Sequence, residues 1–169
     1  YISYGSLRSM PDLDPALTKP FNSDETFAID DVLVDAVAVP HDAREPTQFV
    51  MRSCSQQIGV ITDVGHITPH VIDRFRGCTG LFMESNHDAD MLMRGDYPGR
   101  LKRRIGGSLG HLSNEQASEF LDAVVHDGLN HVVVGHISKE NNSGTLLEET
   151  FERFRPRVGL LQFATQDLG

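Results

Sequence analysis

This 169-residue chain lacks most of the features that would mark it at once as a particular kind of protein. No apolar run approaches the roughly 20 residues a helix needs to cross a bilayer, so no membrane partner is expected. No basic, apolar, small-residue leader opens the chain. The opening, YISYG, does not start with Met and reads like a strand already under way, so residue 1 is expected to lie inside a domain rather than at its natural start. Positive charge is scarce: 15 Lys and Arg stand against 24 Asp and Glu, a net charge of −9. That balance argues against indiscriminate nucleic-acid binding, which calls for a basic surface, and leaves room only for a local basic patch. The two cysteines, Cys54 and Cys78, have no CxxC partner, which weakens zinc-thiolate and redox readings. They are expected as free, buried thiols in a reducing cytoplasm. No internal repeat, low-complexity tract or linker is visible, and 39% hydrophobic with 23% charged residues suits one domain with a real core.

What is present is a series of apolar runs bounded by turn residues. Residues 1–24 predict a short strand and then a loop. In TFAIDDVLVDAVAVP, Val32, Val34, Ala36 and Ala38 share one parity, with Asp31 and Asp35 on the other. Period two predicts a strand with one buried face, and Leu33, Val37 and Val39 suggest partial cover on the second. TQFVMRS and QIGVITD predict two more strands, joined by a polar turn through Ser53 to Gln56. Thr68 followed by Pro69 predicts a helix start. CTGLFMES predicts a strand, and helices are expected over Asp88 to Arg94 and Pro98 to Ile105. After Ser113, the residues Ala117, Phe120, Leu121, Val124 and Val125 recur at helical spacing, with Gly128 as the expected stop. HVVVGH predicts a short buried strand, residues 144–155 a last helix, and VGLLQFAT a final strand. The pattern is α/β (α+β), a single domain over residues 1–169 in which helices cover sheet.

Three islands carry most of the chemistry: VPHDA around His41, ITDVGH around Asp63 and VVVGHIS around His136. Each places a metal ligand just after an apolar run, where a strand end holds it rigidly and still lets it face a cleft. Imidazole with carboxylate suits Zn, Mn or Fe. Plainer readings stand beside these: His41 hydrogen-bonded to Asp42, Asp63 as a turn former, His136 as a core residue. In MESNHDADML, Glu84 could orient a ligand histidine and His87 could act as acid, base or substrate hydrogen-bonder, or the cluster could cap the next helix. The segment GDYPGRLKRRIGGSLGHLSNEQA carries the one dense basic run, Arg100, Lys102, Arg103 and Arg104, followed by His111, Ser113 and Asn114. On a helix Arg100, Arg103 and Arg104 share a face. That face is either solvated or a phosphate clamp, since guanidinium pairs bidentately with phosphate. Ser138, Lys139, Asn141 and Asn142 could cap the final helix or line the site.

Taken together, VPHDAREPTQF, GVITDVG, FMESNHDADML, YPGRLKRRIGGSLGHLSNEQA and VVVGHISKENN resemble the metallo-β-lactamase superfamily over about residues 25 to 150. Within it the resemblance is to the YycJ/WalJ-type branch of bacterial metallohydrolases. It implies an αββα sandwich with a site for two divalent ions (Zn, Mn or Fe) at the top of two sheets. It implies His41 on one metal, Asp63 bridging both, His136 on the second, and His87 and His111 at the cleft facing substrate. The superfamily signature HxHxDH, which supplies most of the ligands, does not occur in this sequence. The chain is therefore expected to match the C-terminal two-thirds of the domain, a sandwich incomplete at its N-terminus. Such a sandwich would leave a sheet edge or face for a homodimer to cover.

The expected function is a cytoplasmic, metal-dependent hydrolase of phosphodiester bonds, a nuclease acting on DNA or RNA. Asp42 and Glu84 would stand behind the ligands. Arg100, Lys102, Arg103, Arg104 and Asn114 would meet the substrate. Two alternatives remain at this point: a hydrolase of thioesters, lactones or small phosphodiesters on the same fold, and a remnant without catalysis.

Overall fold

The structure is a computed structural model and describes residues 1–164. Strand β1 (Ile2–Ser3) pairs in parallel with β2 (Pro20–Phe21), and α1 (Tyr4–Leu7) and a 3-10 turn (Pro15–Leu17) lie between them. Seven further strands form one sheet in chain order: β3 (Thr26–Ile29), β4 (Val32–Ala38), β5 (Thr47–Ser53), β6 (Gln56–Ile61), β7 (Gly80–Glu84), β8 (His131–Gly135) and β9 (Leu160–Phe163). From β3 to β6 the strands run antiparallel through short turns, and from β6 to β9 they run parallel. Parallel neighbours need crossovers, and helices supply them. Helix α2 (Pro69–Phe75) links β6 to β7; α3 (Ala89–Arg94), α4 (Gly99–Ile105) and α5 (Asn114–Val124) link β7 to β8; α6 (Gly144–Phe151) and a 3-10 turn (Glu152–Arg157) link β8 to β9.

The core lies between one face of this sheet and the helices. Val37, Val50, Ile61, Leu81, Met83, Val132 and Val134 come from the sheet, and Phe75, Phe120, Phe151 and Phe154 from the helical segments. Each such side chain contributes about 1.5–3 kcal/mol by burial. Towards β3–β5 the opposite face is covered by the N-terminal segment, where Tyr1 stacks on Phe27 and Phe21 packs against Phe27 and Phe49. Towards β6–β9 it presents half-buried Val60, Phe82 and Val133 and exposed Ile58 and Leu160. Among the described residues, the four expected layers thus appear as one large sheet, its helical layer and a two-stranded ribbon. No helix of the described residues is long and apolar enough to cross a membrane.

Several expectations need correcting. The run TFAIDDVLVDAVAVP is a hairpin, turned by Asp30 and Asp31 with Asp30 at φ 52°, rather than one strand. Asp35 faces the helices instead of solvent and is 3% exposed. It is neutralised there by Arg52, at 2.6 Å, by the Thr26 hydroxyl at 2.5 Å, and by Arg74 of α2 at 3.6 Å. Helix α5 stops at Val124, before Gly128, because Val125 turns to an extended conformation (ψ 135°) while its N–H still caps Leu121. The last helix tightens to 3-10 geometry at Glu152, ahead of Pro156, which has no N–H to continue an α-helix. Cys78 is buried, but Cys54 is exposed in the β5–β6 turn. The final strand ends at Phe163, and Thr165 of the expected run lies outside the described residues.

The Asp35 cluster yields a test. Arg52→Leu should lower stability by about 2–3 kcal/mol in urea melts, because it strips the nearer guanidinium from a buried carboxylate. A loss under about 0.5 kcal/mol would mean that Arg74 and Thr26 suffice.

Candidate metal centre

Strands β4 and β6 both oppose β5, so they run the same way, and β7 and β8 run parallel to β6. Their C-terminal ends gather at one rim, where clefts open in sheets of this type. The chain leaves each end on a polar residue. His41 follows β4 through Val39 and Pro40, Asp63 follows β6, Glu84 ends β7, and His136 follows β8 at once. His111 reaches the same rim from the loop between α4 and α5.

Asp63 stands in the middle. Its Oδ1 lies 3.7 Å from His41 Nε2, 3.7 Å from His111 Nδ1 and 3.9 Å from His136 Nε2. These separations are too long for hydrogen bonds. They suit donors around one ion, since bonds of about 2.0–2.2 Å to a tetrahedral centre set the donors roughly 3.5 Å apart. Two sets, His41–Asp63–His111 and Glu84–His111–His136, each keep their donor atoms within 4.8 Å of one another.

Each imidazole is aimed from behind. His41 Nδ1 donates to the Gly110 carbonyl at 2.9 Å, which turns the Nε2 lone pair to the centre. A Cβ on Gly110 would sit 2.1 Å from the Ile105 oxygen, so only glycine lets that carbonyl reach. His136 Nδ1 donates to Glu84 Oε2 at 2.8 Å, again leaving Nε2 inward. Asp63 and His136 both hold left-handed backbone, φ 54° and 50°, at a cost of order 1–3 kcal/mol each.

Glu84 holds this strain in place. It is 0% exposed and gathers donors from three segments. Oε2 accepts from the Asp63 N–H at 2.9 Å and from His136, with His111 Nδ1 at 3.3 Å. Oε1 accepts from the N–H groups of Val64 and Leu112 at 3.1 and 2.9 Å. Burial alone would raise its pKa, but the hydrogen bonds from His111, His136, Leu112 and Val64 outweigh burial and hold the carboxyl at about 2. The Glu84 carboxylate in turn raises His136 above the ordinary histidine value, against the opposing effect of burial.

The remaining candidates divide. Asp42 faces both ways: Oδ1 is 3.4 Å from His41 Nε2, and Oδ2 takes Arg104 Nε at 2.5 Å. The Arg104 hydrogen bond holds the Asp42 carboxyl below its usual range. Lys102 Nζ donates to the Met93 carbonyl at 2.7 Å. Arg100 and Arg103 are exposed and have no ion-pair partner among the described residues. The basic run does not share one face. Arg100 and Arg104 border a groove of about 570 Å³ with Asp42, whereas Lys102 and Arg103 border a separate cavity that includes His87. His87 is 3% exposed and is no member of either donor set. Asn114, expected to meet substrate, is instead 4% exposed and structural. Its amide pairs reciprocally with Asn142, at 3.0 and 2.8 Å, and accepts from Ser85 at 2.6 Å, which ties β7 to the starts of α5 and α6. Asn142, expected to cap the final helix or line the site, pairs with Asn114 instead and accepts from the Ser143 N–H at 2.9 Å; Gly110 went unassigned in the sequence, and the glycine density of IGGSLGH was its one signal.

The profile of the family described as "Beta-lactamase superfamily domain" matches residues 5–137. An "Exodeoxyribonuclease YycJ" of Bacillus anthracis is 33% identical over 122 residues, which is 72% of this chain and 46% of that protein. An "Exodeoxyribonuclease WalJ" of Streptococcus pneumoniae is 31% identical over 149 residues, 88% of this chain and 52% of that protein. The chain thus spans about half the length of these curated relatives. Among solved structures, Zn(2+)-bound PqqB from Methylobacterium extorquens superposes with a TM-score of 0.67 at 20% identity, covering 97% of this chain and 61% of that one.

Proposed function

We propose that this chain, which belongs to the beta-lactamase superfamily and has relatives of the YycJ/WalJ type, carries the metal-holding and DNA-gripping side chains of a metal-dependent nuclease. The observation that carries the reading is the Asp63 carboxylate ringed by three imidazoles and braced by the buried Glu84. A mixed nitrogen and oxygen donor set fits Zn, Mn or Fe better than ions that demand oxygen alone. His41, Asp63 and His136 would hold the ion. The Nδ1 of His111 is engaged with Glu84, which leaves His111 to the substrate side, and the reading of two ions per site rests on the family. When bound, a divalent ion supplies Lewis-acid polarisation of the scissile phosphate and activation of the attacking water.

The chain's own residues supply the rest. Glu84 fixes the ring planes, so the donors are pre-aimed and little order is lost on loading. His111 donates from Nδ1 to Glu84 and keeps Nε2 without a hydrogen-bond partner among the described residues, so Nε2 could take a proton from the attacking water and return it to the departing oxygen. The relatives named as exodeoxyribonucleases favour DNA as the polymer. Arg100 and Arg103, exposed and without an ion-pair partner among the described residues, would meet its phosphates.

The rival is a hydrolase of small esters or diesters on the same fold. Arg100→Glu with Arg103→Glu separates the two. DNA cleavage should fall about a hundredfold and the salt dependence should shallow by about two, as expected when two phosphate contacts are lost. Turnover of a chromogenic diester should change less than about threefold. Equal loss on both substrates would favour the small-substrate reading.

A further inference from the structure

Beside the rim, and separate from the donor sets, lies a cavity of about 630 Å³ between α3, α4 and the start of α5. That size lies within the usual range of about 300–1,000 Å³ for a small-molecule pocket. Its walls are chemically uneven. Leu92 and Met93 of α3 supply an apolar side, and Met93 is 67% exposed. Arg103 of α4 brings a guanidinium without an ion-pair partner among the described residues. Gln116 of α5 uses its Oε1 to accept from the Ser113 N–H at 3.0 Å, which leaves its amide hydrogens for a ligand. His87, buried, also lines it, with Nε2 on the Gly106 side; its Nδ1 is shut off from solvent and has no hydrogen-bond partner among the described residues.

The cavity shares none of its lining with the donor sets, but one segment links the two. His87 pairs with Ser113 in a parallel bridge, and its carbonyl accepts from Asn114 at 2.9 Å. Two residues before Ser113 stands His111, on the rim. The cavity and the rim are therefore neighbours along one segment, close enough for one strand to span both.

We propose that the cavity binds one nucleotide unit of the DNA, base against Leu92 and Met93 and phosphate at Arg103. The inference rests on the nuclease reading and names the subsite which that reading leaves open. Three features favour a nucleotide over a bare anion. The apolar wall would be wasted on phosphate. Glu115 lines the same cavity as Arg103, so the pocket suits a molecule with an anionic end and a hydrogen-bond-donating edge. Burial and the nearby His111 push His87 below the ordinary histidine value, which favours the neutral ring, one that both donates and accepts. Sulfur and methylene groups on one wall and amide hydrogens on another are what a base needs for face and edge.

Gly106 offers a clean probe. Its φ is −83°, which any residue adopts, and a Cβ there would meet Leu92 at 3.4 Å, in ordinary contact, and point towards His87 Nε2 at 3.9 Å. Gly106→Leu should fill the cavity without touching the rim. The test is calorimetric titration of the purified protein with thymidine 5′-monophosphate, thymidine and inorganic phosphate, in EDTA so that no bound ion attracts the phosphate. The expected result is saturable binding of the monophosphate, tighter than either fragment. Gly106→Leu should weaken both monophosphate and thymidine about tenfold or more. Arg103→Gln, a change on the surface, should weaken the monophosphate about fivefold or more and leave thymidine unchanged. Absence of saturable monophosphate binding would overturn the proposal. So would unchanged affinity in both variants, or phosphate binding as tightly as the nucleotide. DNA cleavage by a protein whose variants bind normally would remove the pocket and leave the nuclease reading intact. Nucleotide binding without DNA cleavage would do the reverse.

Discussion

Glu84→Gln is expected to cost the protein about 3 kcal/mol or more of stability and to loosen its hold on a divalent ion about 10- to 100-fold. Five donors converge on the two carboxylate oxygens, three from backbone and two from imidazoles. Glutamine keeps one acceptor and turns an NH₂ towards groups that can only donate, in a position with no solvent exposure. The acid limb of the stability curve gives a second readout. In the folded protein the Glu84 carboxyl titrates at about 2 instead of 4.5. A depressed carboxyl stabilises the fold fully above the unfolded value and loses that contribution as pH falls through the folded one. The loss should appear between pH 4.5 and about 2 and amount to roughly 3 kcal/mol. His136 has the opposite sign: its raised value stabilises fully below 6.5 and fades as pH climbs through the folded pKa. In metal-free protein the pair therefore helps most from about pH 4.5 to 6.5, and Glu84→Gln should flatten that plateau. Urea melts across pH, with chelator competition for zinc, would decide it. An unchanged acid limb together with unchanged zinc affinity would sink the role given to Glu84.

Asp63→Asn should lower DNA cleavage by about a thousandfold or more, in line with several kcal/mol of lost metal-assisted stabilisation. Bound metal should drop below one ion per chain. Asparagine is the informative substitution because it tolerates the left-handed backbone at φ 54° that alanine would strain. Compared without metal, the melting temperatures of variant and parent should therefore stay close, while metal content and turnover fall together. Turnover within tenfold of the parent, at full metal supply, would exclude Asp63 as the central ligand.

The sequence made the scaffold readable where period and punctuation agreed. Thr68 with Pro69 and Ser113 ahead of Asn114 mark helix starts that the structure has, because side-chain oxygens satisfy N–H groups that the helix cannot. The Asp30–Asp31 turn stayed hidden because apolar parity continues on both sides of it. Asp35 misled for a different reason: its partners, Arg52 and Arg74, lie 17 and 39 residues away, and nothing local announces them. The centre divides in the same way. His41, Asp63 and His136 could be picked out because each follows an apolar strand. The reach of His111 to Asp63, and the grip of Glu84 on three segments, depend on the lateral order of strands, which no single stretch of residues encodes. Asn114 misled because an amide beside a basic run resembles a phosphate contact until Asn142 is seen facing it.

One consequence concerns the sheet as a whole. The donors around Asp63 come from positions as far apart as 41 and 136, on both sides of the place where the strands change from antiparallel to parallel. Whatever occupies that rim rivets the meander to the crossover half. On the reading proposed above, an ion loaded there would steady the fold as well as the centre, and its withdrawal would loosen both.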